Sequence, residues 1–145
     1  MDFVLDASIA LSWCFPDESN AYADLVLDAI GPMTAVVPSI WAYEVANAML
    51  VAQRHGRITE DHRIQVANML NTLPIQTHDI TLSHILKDIS SQAKALDLTV
   101  YDAAYLDLAV RIGKPLATAD RRLREADNRV GIAEFDRKTG SKQLL

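Results

Sequence analysis

Three aspartates stand directly after short apolar segments of the sequence, in positions where a carboxylate can do chemistry. They are Asp6, Asp102 and Asp120, and the segments before them are residues 3–5, 99–101 and 116–118. If these segments are parallel strands, the aspartates meet at the edge of the sheet where α/β proteins bind their ligands. Each aspartate also precedes a predicted helix, and Asp is a favoured N-cap. Capping therefore remains an alternative for each of them taken alone.

Glu44 has no capping role available, because it lies in the middle of a helix predicted from Ile40 to Arg54. This helix is apolar nearly all round, which predicts that it is buried. No basic residue follows Glu44 at three or four positions to form an ion pair. A buried carboxylate needs a partner, so the pattern favours a functional role for Glu44.

Four carboxylates gathered at one site repel one another, and without a counter-charge some of them stay protonated. Mg²⁺ and Mn²⁺ relieve this repulsion because they take oxygen ligands and retain some of their water. We therefore predict that the acids are metal ligands and catalytic residues: Asp6, Glu44, Asp102 and Asp120. The hydroxyls of Ser8 and Thr118 are candidates to orient a carboxylate or a metal-bound water, or are ordinary helix-start and strand residues.

Other candidates for chemistry have plainer interpretations. Asp107 lies near Arg111 at i+4, the pattern of a solvated ion pair, and is left out of the site. The single cysteine, Cys14, lies in an apolar segment and is predicted to be a buried hydrophobe. The four histidines have no paired metal-ligand spacing, which predicts surface or helix-packing roles: His55, His62, His78 and His84.

Arginines and aromatic residues are the candidates for RNA contacts. The arginines that follow Asp120 could contact phosphate oxygens, although surface or dimer salt bridges explain them nearly as well: Arg121, Arg122, Arg124 and Arg129. Three aromatic residues could stack on bases, but their apolar neighbours favour packing in a core or an interface: Trp13, Phe15 and Trp41.

Short apolar strands alternate with longer helices along the chain, which predicts an α/β fold with a mainly parallel sheet covered on both faces. Strands are predicted at residues 3–5, 35–37, 75–77, 99–101, 116–118 and 131–133. Helices are predicted at residues 8–15, 18–30, 40–54, 59–73, 81–96, 102–112 and 120–126. The tail from residue 136 on is polar, which predicts a loose end to a single domain.

Composition sets limits on the function. The chain has 145 residues, of which 50% are hydrophobic and 23% charged, the balance of an ordinary globular domain. A formal net charge of −5 argues against binding nucleic acid by bulk charge alone. Asp2 and Asp6 are unlike a signal peptide, and no stretch approaches the ~20 apolar residues of a membrane span. We therefore expect no membrane association and a cytoplasmic location.

Four sequence motifs carry a family resemblance. VLDASIAL, EVANAML, YDAAYLDLA and LATADRRL, in this order and spacing, resemble the acidic motifs of the PIN-domain ribonucleases. Within that group the chain is most similar to the VapC-type toxins of toxin–antitoxin pairs. The likeness covers residues 1–135, which would be the nuclease domain, whereas the polar tail at residues 136–145 has no counterpart.

The resemblance implies a three-layer α/β/α sandwich and a Mg²⁺- or Mn²⁺-dependent endoribonuclease that cleaves structured RNA, of the tRNA or rRNA class. It also implies a homodimer and a small cognate antitoxin as partner. The metal-site acids of the family correspond by motif to Asp6, Glu44, Asp102 and Asp120, with Asn47 and Thr118 as supporting residues. By hypothesis, one or two ions lower the pKa of a bound water that attacks the scissile phosphate.

Two other kinds of protein fit less well. A haloacid-dehalogenase-like phosphohydrolase needs a second Asp two residues after the first, where this chain has Ser8, and it needs space for a cap domain. A receiver domain has a Lys-Pro pair after its strand, whereas Lys114-Pro115 comes before one. A non-catalytic α/β binding module, in which the acids only cap helices, remains an alternative that metal dependence would distinguish.

Overall fold

Four short parallel strands form the centre of the fold. The computed structural model describes residues 1–136 and orders the strands β3-β2-β1-β4, with every pairing parallel. The strands are β1 (Asp2–Leu5), β2 (Thr34–Pro38), β3 (Ile75–His78) and β4 (Leu116–Ala117). All four carboxyl ends therefore meet at one edge of the sheet, with β1 and β4 side by side.

Helices surround the sheet, which confirms the predicted α/β architecture. In the described residues, α6 packs against β1 and β2, and α1 packs against α2 and α3. The α-helices are α1 (Ala7–Cys14), α2 (Ala21–Ala29), α3 (Ile40–Arg54), α4 (Glu60–Asn71), α5 (Ser90–Leu96), α6 (Val100–Ile112) and α7 (Arg121–Arg129). A 3₁₀-helix, Pro16–Glu18, precedes α2, and a π-helical segment, His84–Ile89, leads into α5. No helix of residues 1–136 has the length and apolar character that crossing a bilayer requires.

Burial of apolar strands and capping of helix ends account for these elements. Phe3, Val4 and Leu5 of β1 are completely buried, as expected for a parallel strand covered on both faces. The hydroxyl of Thr59 accepts the amide of His62 and so begins α4. Gly113 ends α6 in the left-handed conformation, where a residue without a side chain is favoured.

The sequence pattern predicts a strand at residues 99–101, and this prediction is wrong. Thr99 is the N-cap of α6, and its hydroxyl accepts the amide of Asp102 at 3.1 Å. Val100 and Tyr101 therefore form the first turn of the helix. Val100 and Tyr101 have high β-propensity, but they adopt helical structure here because the Thr99 cap and the rest of α6 determine where the helix begins.

Residues 131–133 are also not a strand. Gly131 has a φ of 79°, and the segment pairs with β4 through an isolated bridge between Leu116 and Glu134, in which the Leu116 amide donates to the carbonyl of Ala133 at 3.1 Å. Phe135, two residues beyond the predicted strand, is fully buried and stacks on Phe3 with 4.1 Å between ring centroids. The carbonyl of Phe135 also accepts the hydroxyl of Tyr22 at 2.7 Å. Of the predicted tail, only Asp136 lies within the described residues, so the domain boundary stays a prediction.

Phe135→Ala should strongly destabilise the chain, because it removes a buried ring and leaves a cavity against Phe3. We expect the free energy of unfolding, measured by urea denaturation, to fall by about 3–5 kcal/mol. Val130→Ala is the control, since Val130 is 42% exposed and should lose less than ~1 kcal/mol. A loss at Phe135 as small as that of the control would show that this segment does not contribute to the core.

Candidate metal-binding acidic site

Asp6 lies where β1 ends and is buried, with 5% of its surface exposed. Its Oδ2 atom accepts two hydroxyl hydrogen bonds, from Ser8 Oγ at 2.6 Å and from Thr118 Oγ1 at 2.7 Å. Its side chain makes no capping hydrogen bond to α1. Asp6 thus occupies the N-cap position of α1 without a side-chain capping bond, and its carboxylate is held by one hydroxyl from the first turn of α1 and one from the residue after β4.

Ser8 and Thr118 connect the end of β1 with the end of β4. The fully buried Thr118 hydroxyl, which donates to Asp6, also accepts the amide of Asp120 at 2.9 Å. Ser8 Oγ accepts the amide of Ala119 at 2.9 Å. These are contacts expected of supporting residues, because each hydroxyl fixes both a carboxylate and the loop that carries Asp120.

Asp120 is both an N-cap and a neighbour of Asp6. Its Oδ1 atom accepts the amides of Arg122 at 2.8 Å and Leu123 at 3.3 Å, so it caps α7 as the sequence allowed. These capping bonds use one carboxylate oxygen, Oδ1. A capping role and a role in the acidic site are therefore compatible at this residue.

Glu44 is half-buried, and its hydrogen-bond partner is a tyrosine from another helix. The sequence of α3 itself offers no basic partner for this carboxylate. The Tyr105 hydroxyl, on α6, donates a hydrogen bond to Glu44 Oε1. The prediction that α3 is wholly buried is wrong, because its outer face is apolar yet exposed, with Tyr43 76% and Leu50 36% accessible. Asn47 also lies exposed, and no hydrogen bond of the described residues joins it to Glu44.

Asp102 occupies the first turn of α6 and is partly buried. Thr99, not Asp102, caps this helix, so the capping alternative is wrong here. The helix places Asp102 and Tyr105, three residues apart, on one face. The same face therefore carries one acid and the hydroxyl that binds Glu44.

The four carboxylates lie within one another's electrostatic field. Burial first, and then the charge of Asp120, raise the pKa of Asp6 and of Asp102. Burial and the charges of Asp6 and Asp102 raise the pKa of Glu44, against the hydrogen bond from Tyr105. The charge of Arg122 lowers the pKa of Asp102, but only weakly compared with the repulsion. The structure thus brings all four predicted acids into one electrostatically strained group.

The donor set fits a hard divalent cation in type. Mg²⁺ and Mn²⁺ prefer carboxylate oxygens, and a positive ion would relieve the burial and repulsion that raise these pKa values. Within residues 1–136, no three acidic, histidine or cysteine side chains stand close enough to enclose an ion together. The carboxylates would therefore have to move towards the ion, or water molecules would have to complete its shell.

Asp107 lies outside this group, as predicted, but the prediction that it is solvated is wrong. It is 2% exposed, and three side chains donate to its carboxylate: Arg111 Nε at 2.7 Å, His84 Nε2 at 2.9 Å and Gln92 Nε2 at 3.1 Å. Burial opposes ionisation, but the bonds from Arg111 and His84 hold the pKa of Asp107 below its usual value. His84 accordingly has the helix-packing role predicted for the histidines.

Sequence reasoning missed two residues around the site and left the role of a third open. Tyr105 could have been found from its position one turn after Asp102. Asp127 gave no signal, because it lies in the polar-looking helix α7, yet it is 2% exposed and its Oδ1 has no hydrogen-bond partner among residues 1–136. Burial, and then the charges of Asp6 and Glu134, raise the pKa of Asp127 to about 7. For Arg124 the sequence left RNA contact and a salt bridge open; its guanidinium lies 3.3 Å from Glu134 and donates to the carbonyl of Thr118 at 2.9 Å.

The other arginines and the aromatic residues are distributed as follows. Arg121 is 90% exposed and lies 3.3 Å from Glu125, and Arg122 is 71% exposed and lies 3.4 Å from Asp97.

Trp41 and Phe15 are buried, and Trp13 donates to a main-chain carbonyl, which confirms packing over base stacking for these three. Cys14 is buried, as predicted, and burial raises the pKa of its thiol to about 11.

Comparison with known proteins decides the family. The sequence profile of the PIN domain matches residues 3–129. Ribonuclease VapC3 of Pyrobaculum aerophilum is 34% identical over 130 residues, which cover 86% of this chain and 94% of the relative. The chain belongs to the PIN-domain family.

Solved structures share the fold of this PIN domain. A protein from Pyrobaculum aerophilum superimposes with a TM-score of 0.66 at 22% identity, over 99% of this chain and 95% of the other. A toxin–antitoxin complex from Klebsiella pneumoniae matches with a TM-score of 0.58 at 19% identity, over 81% of this chain and 86% of the other. At these identities the likeness concerns the α/β fold itself.

Asp127→Asn should stabilise the metal-free chain at pH 8 but not at pH 4.5. The pKa of Asp127 is raised from 3.8 to about 7, so the stability of the protonated form is lost as the pH rises between these values. Asn mimics that protonated form. We expect a gain of a few kcal/mol at pH 8, measured by urea denaturation in EDTA.

Asp107→Asn is the matched comparison, because its pKa is lowered and its ionised form stabilises the fold. It should destabilise the chain at pH 8, with less effect in acid. If Asp127→Asn is instead less stable than wild type at pH 8, Asp127 is a required anion and this interpretation of its burial fails.

Proposed function

We propose that this PIN domain is a Mg²⁺- or Mn²⁺-dependent endoribonuclease, acting in the cytoplasm as the toxin of a toxin–antitoxin pair. The observation that carries the proposal is the group of four carboxylates at the carboxyl edge of the sheet. Burial and the charges of neighbouring acids raise the pKa values of Asp6, Glu44 and Asp102. A domain in which these acids only cap helices would not need two side-chain hydroxyls to bind the Asp6 carboxylate.

Asp6, Glu44, Asp102 and Asp120 would bind the ion, and each is oriented by a different donor. Ser8 and Thr118 fix Asp6, the Tyr105 hydroxyl fixes Glu44, and the first turn of α7 fixes Asp120. When bound, the divalent ion supplies an activated water and neutralises charge on phosphate oxygens. No histidine contacts the four acids in the described residues, so the carboxylates themselves are the groups available to accept protons.

RNA is the substrate class that the relative's name, Ribonuclease VapC3, favours. A polyanion approaching an acidic edge needs local positive charge, and Arg121 and Arg122 supply it, since both are exposed directly after Asp120. Structured RNA of the tRNA or rRNA class is the substrate we propose. Asn47, exposed one turn after Glu44, is positioned to contact it.

A small antitoxin and a second copy of the chain are the proposed partners. The likeness to the Klebsiella pneumoniae toxin–antitoxin complex supports the first. For the second, exposed apolar side chains line a cavity of about 210 Å³ beside the site, including Tyr43, Val100 and Tyr101. An exposed apolar surface of this kind is typical of a protein interface.

A phosphohydrolase of the haloacid dehalogenase type is the weaker alternative. Such an enzyme uses an aspartate two residues after the first, and the corresponding Ser8 already donates its hydroxyl proton to Asp6. Ser8 is therefore a supporting residue of Asp6 and cannot supply the missing acid.

Asp6→Asn and Glu44→Gln should each abolish metal-dependent cleavage while the chain stays folded. Each change preserves shape but removes a proposed ligand charge, so we expect kcat on bulk tRNA and rRNA with Mn²⁺ to fall at least ~100-fold. The increase in melting temperature caused by Mn²⁺ should disappear in the same variants.

Asp24→Asn is the control, because Asp24 is exposed on α2 and distant in sequence from every proposed ligand. It should keep both the cleavage and the Mn²⁺-dependent increase in melting temperature. Cleavage that persists in purified Asp6→Asn, or that is unchanged in EDTA, would contradict the proposal.

Tyr101→Arg should convert the proposed homodimer to a monomer. Tyr101 is 59% exposed and lines the apolar cavity, so a charge there opposes burial in an interface. Light scattering after gel filtration measures the mass, with Leu82→Arg as a control, since Leu82 is 72% exposed but does not line the cavity. A monomeric wild type, or a Tyr101→Arg dimer, would contradict this interface.

A further inference from the structure

Arg124 reaches inward from α7 to the loop that supports Asp6. Its Nη2 atom donates to the carbonyl oxygen of Thr118 at 2.9 Å, and the hydroxyl of that same Thr118 donates to Asp6 at 2.7 Å. Thr118 is completely buried, so its orientation depends on the groups that contact it. A chain of contacts therefore runs from Arg124 through Thr118 to the most buried carboxylate of the site.

Glu134 fixes the other side of the Arg124 guanidinium. Arg124 Nε forms an ion pair with Glu134 Oε1 at 3.3 Å, without a hydrogen bond among the described residues, and this nitrogen is buried although the side chain as a whole is 39% exposed. Glu134 is itself positioned by the bridge to Leu116, on strand β4, and by its neighbour Phe135, which is fully buried. The guanidinium is thus clamped between the segment after α7 and the end of β4.

The neighbouring arginines lack these contacts. Arg121 and Arg122 are 90% and 71% exposed, and each lies beside a single exposed carboxylate. Their guanidinium groups are free to turn towards solvent or towards a phosphate. Arg124 differs because moving its guanidinium outward would give up both the Thr118 carbonyl and Glu134.

We propose that Arg124, anchored by Glu134, is a positioning residue that orients Thr118 and through it Asp6, and that it does not contact the RNA. This inference rests on the proposed function for its effect on catalysis, but its structural part concerns the metal-free chain. Residues that orient metal ligands typically change metal affinity or activity by about 10- to 100-fold when they are removed. Removing an arginine that contacts a phosphate instead weakens RNA binding and lowers the salt slope, that of the logarithm of the binding constant against the logarithm of salt concentration, by about one.

Arg124→Gln separates the two roles when it is compared with Arg122→Gln and with Lys94→Gln, a control for losing one exposed positive charge. Three quantities are measured: exchange of the Ala119 and Asp120 amides without metal, Mn²⁺ affinity by calorimetry, and the salt dependence of tRNA binding in EDTA. The two amides report on the loop directly, since they donate to Ser8 Oγ and Thr118 Oγ1.

For Arg124→Gln we expect both amides to exchange about tenfold faster and Mn²⁺ affinity to fall at least about tenfold. The salt dependence of tRNA binding should stay that of wild type. Arg122→Gln should show the reverse, with unchanged amides and a salt slope lower by about one. Unchanged amides and Mn²⁺ affinity in Arg124→Gln, or a reduced salt slope, would overturn the assignment.

Two further variants keep the test decisive if Arg124→Gln does not fold. Arg124→Lys retains the charge, but the lysine cannot reach Thr118 and Glu134 at once. If Arg124 is a positioning residue, the Ala119 and Asp120 amides should exchange faster in this variant. If Arg124 contacts a phosphate, the lysine should preserve that contact. Glu134→Gln should resemble Arg124→Lys, and wild-type behaviour of both variants would overturn the inference. If wild type shows no Mn²⁺-dependent cleavage, the proposed function fails, while the amide exchange still decides the role of Arg124.

Discussion

Repulsion among four carboxylates at the end of a parallel sheet is the constraint on which the rest of the site depends. Asp6, Glu44, Asp102 and Asp120 share one field, and their described hydrogen-bond donors are hydroxyls and main-chain amides, without a basic side chain among them. Such donors orient a carboxylate but leave most of its charge uncompensated. The proposed divalent cation would supply the positive charge that these donors lack.

The fold brings these acids together because β1 and β4 are neighbours. The amide of Asp6 donates to the carbonyl of Ala117 at 2.9 Å, which places Asp6 beside Thr118, 112 residues away in sequence. Helix α6 packs on β1 and β2 and adds Asp102, and its Tyr105 binds Glu44 of α3. Each acid thus comes from a different element, and the sheet edge is the place where those elements converge.

Two other buried aspartates show what the chain does with a carboxylate that has no such task. Asp107 is paired with Arg111 and His84, which keep its pKa low. Asp127 has no hydrogen-bond donor at Oδ1 within the described part of the chain, and burial and then the charges of Asp6 and Glu134 raise its pKa to about 7, so it stays largely protonated in mild acid. The four acids of the site differ from both aspartates. Among the described hydrogen bonds no basic side chain donates to them, and they lie close enough to repel one another.

Sequence patterns were sufficient for the parallel α/β fold, and the ends of two strands and a mid-helix charge are local signals that indicated Asp6, Asp120 and Glu44. Asp102 was grouped with them through a strand at residues 99–101 that does not form. The patterns failed where tertiary contacts decide. Residues 99–101 have β-propensity but begin α6, and the apolar outer face of α3 is exposed. No local pattern could indicate three further features, because each depends on elements that are far apart in sequence. These features are the burial of Asp127, the hydrogen bond from Tyr105 to Glu44 and the inward orientation of Arg124.

Anomalous diffraction from crystals grown with Mn²⁺ tests the central claim most directly. The account predicts one or two manganese peaks at the sheet edge, within about 2.3 Å of carboxylate oxygens that include Asp6. It also predicts that these peaks are absent from crystals of Asp6→Asn. Manganese bound elsewhere, with the four carboxylates unoccupied in an active protein, would contradict it.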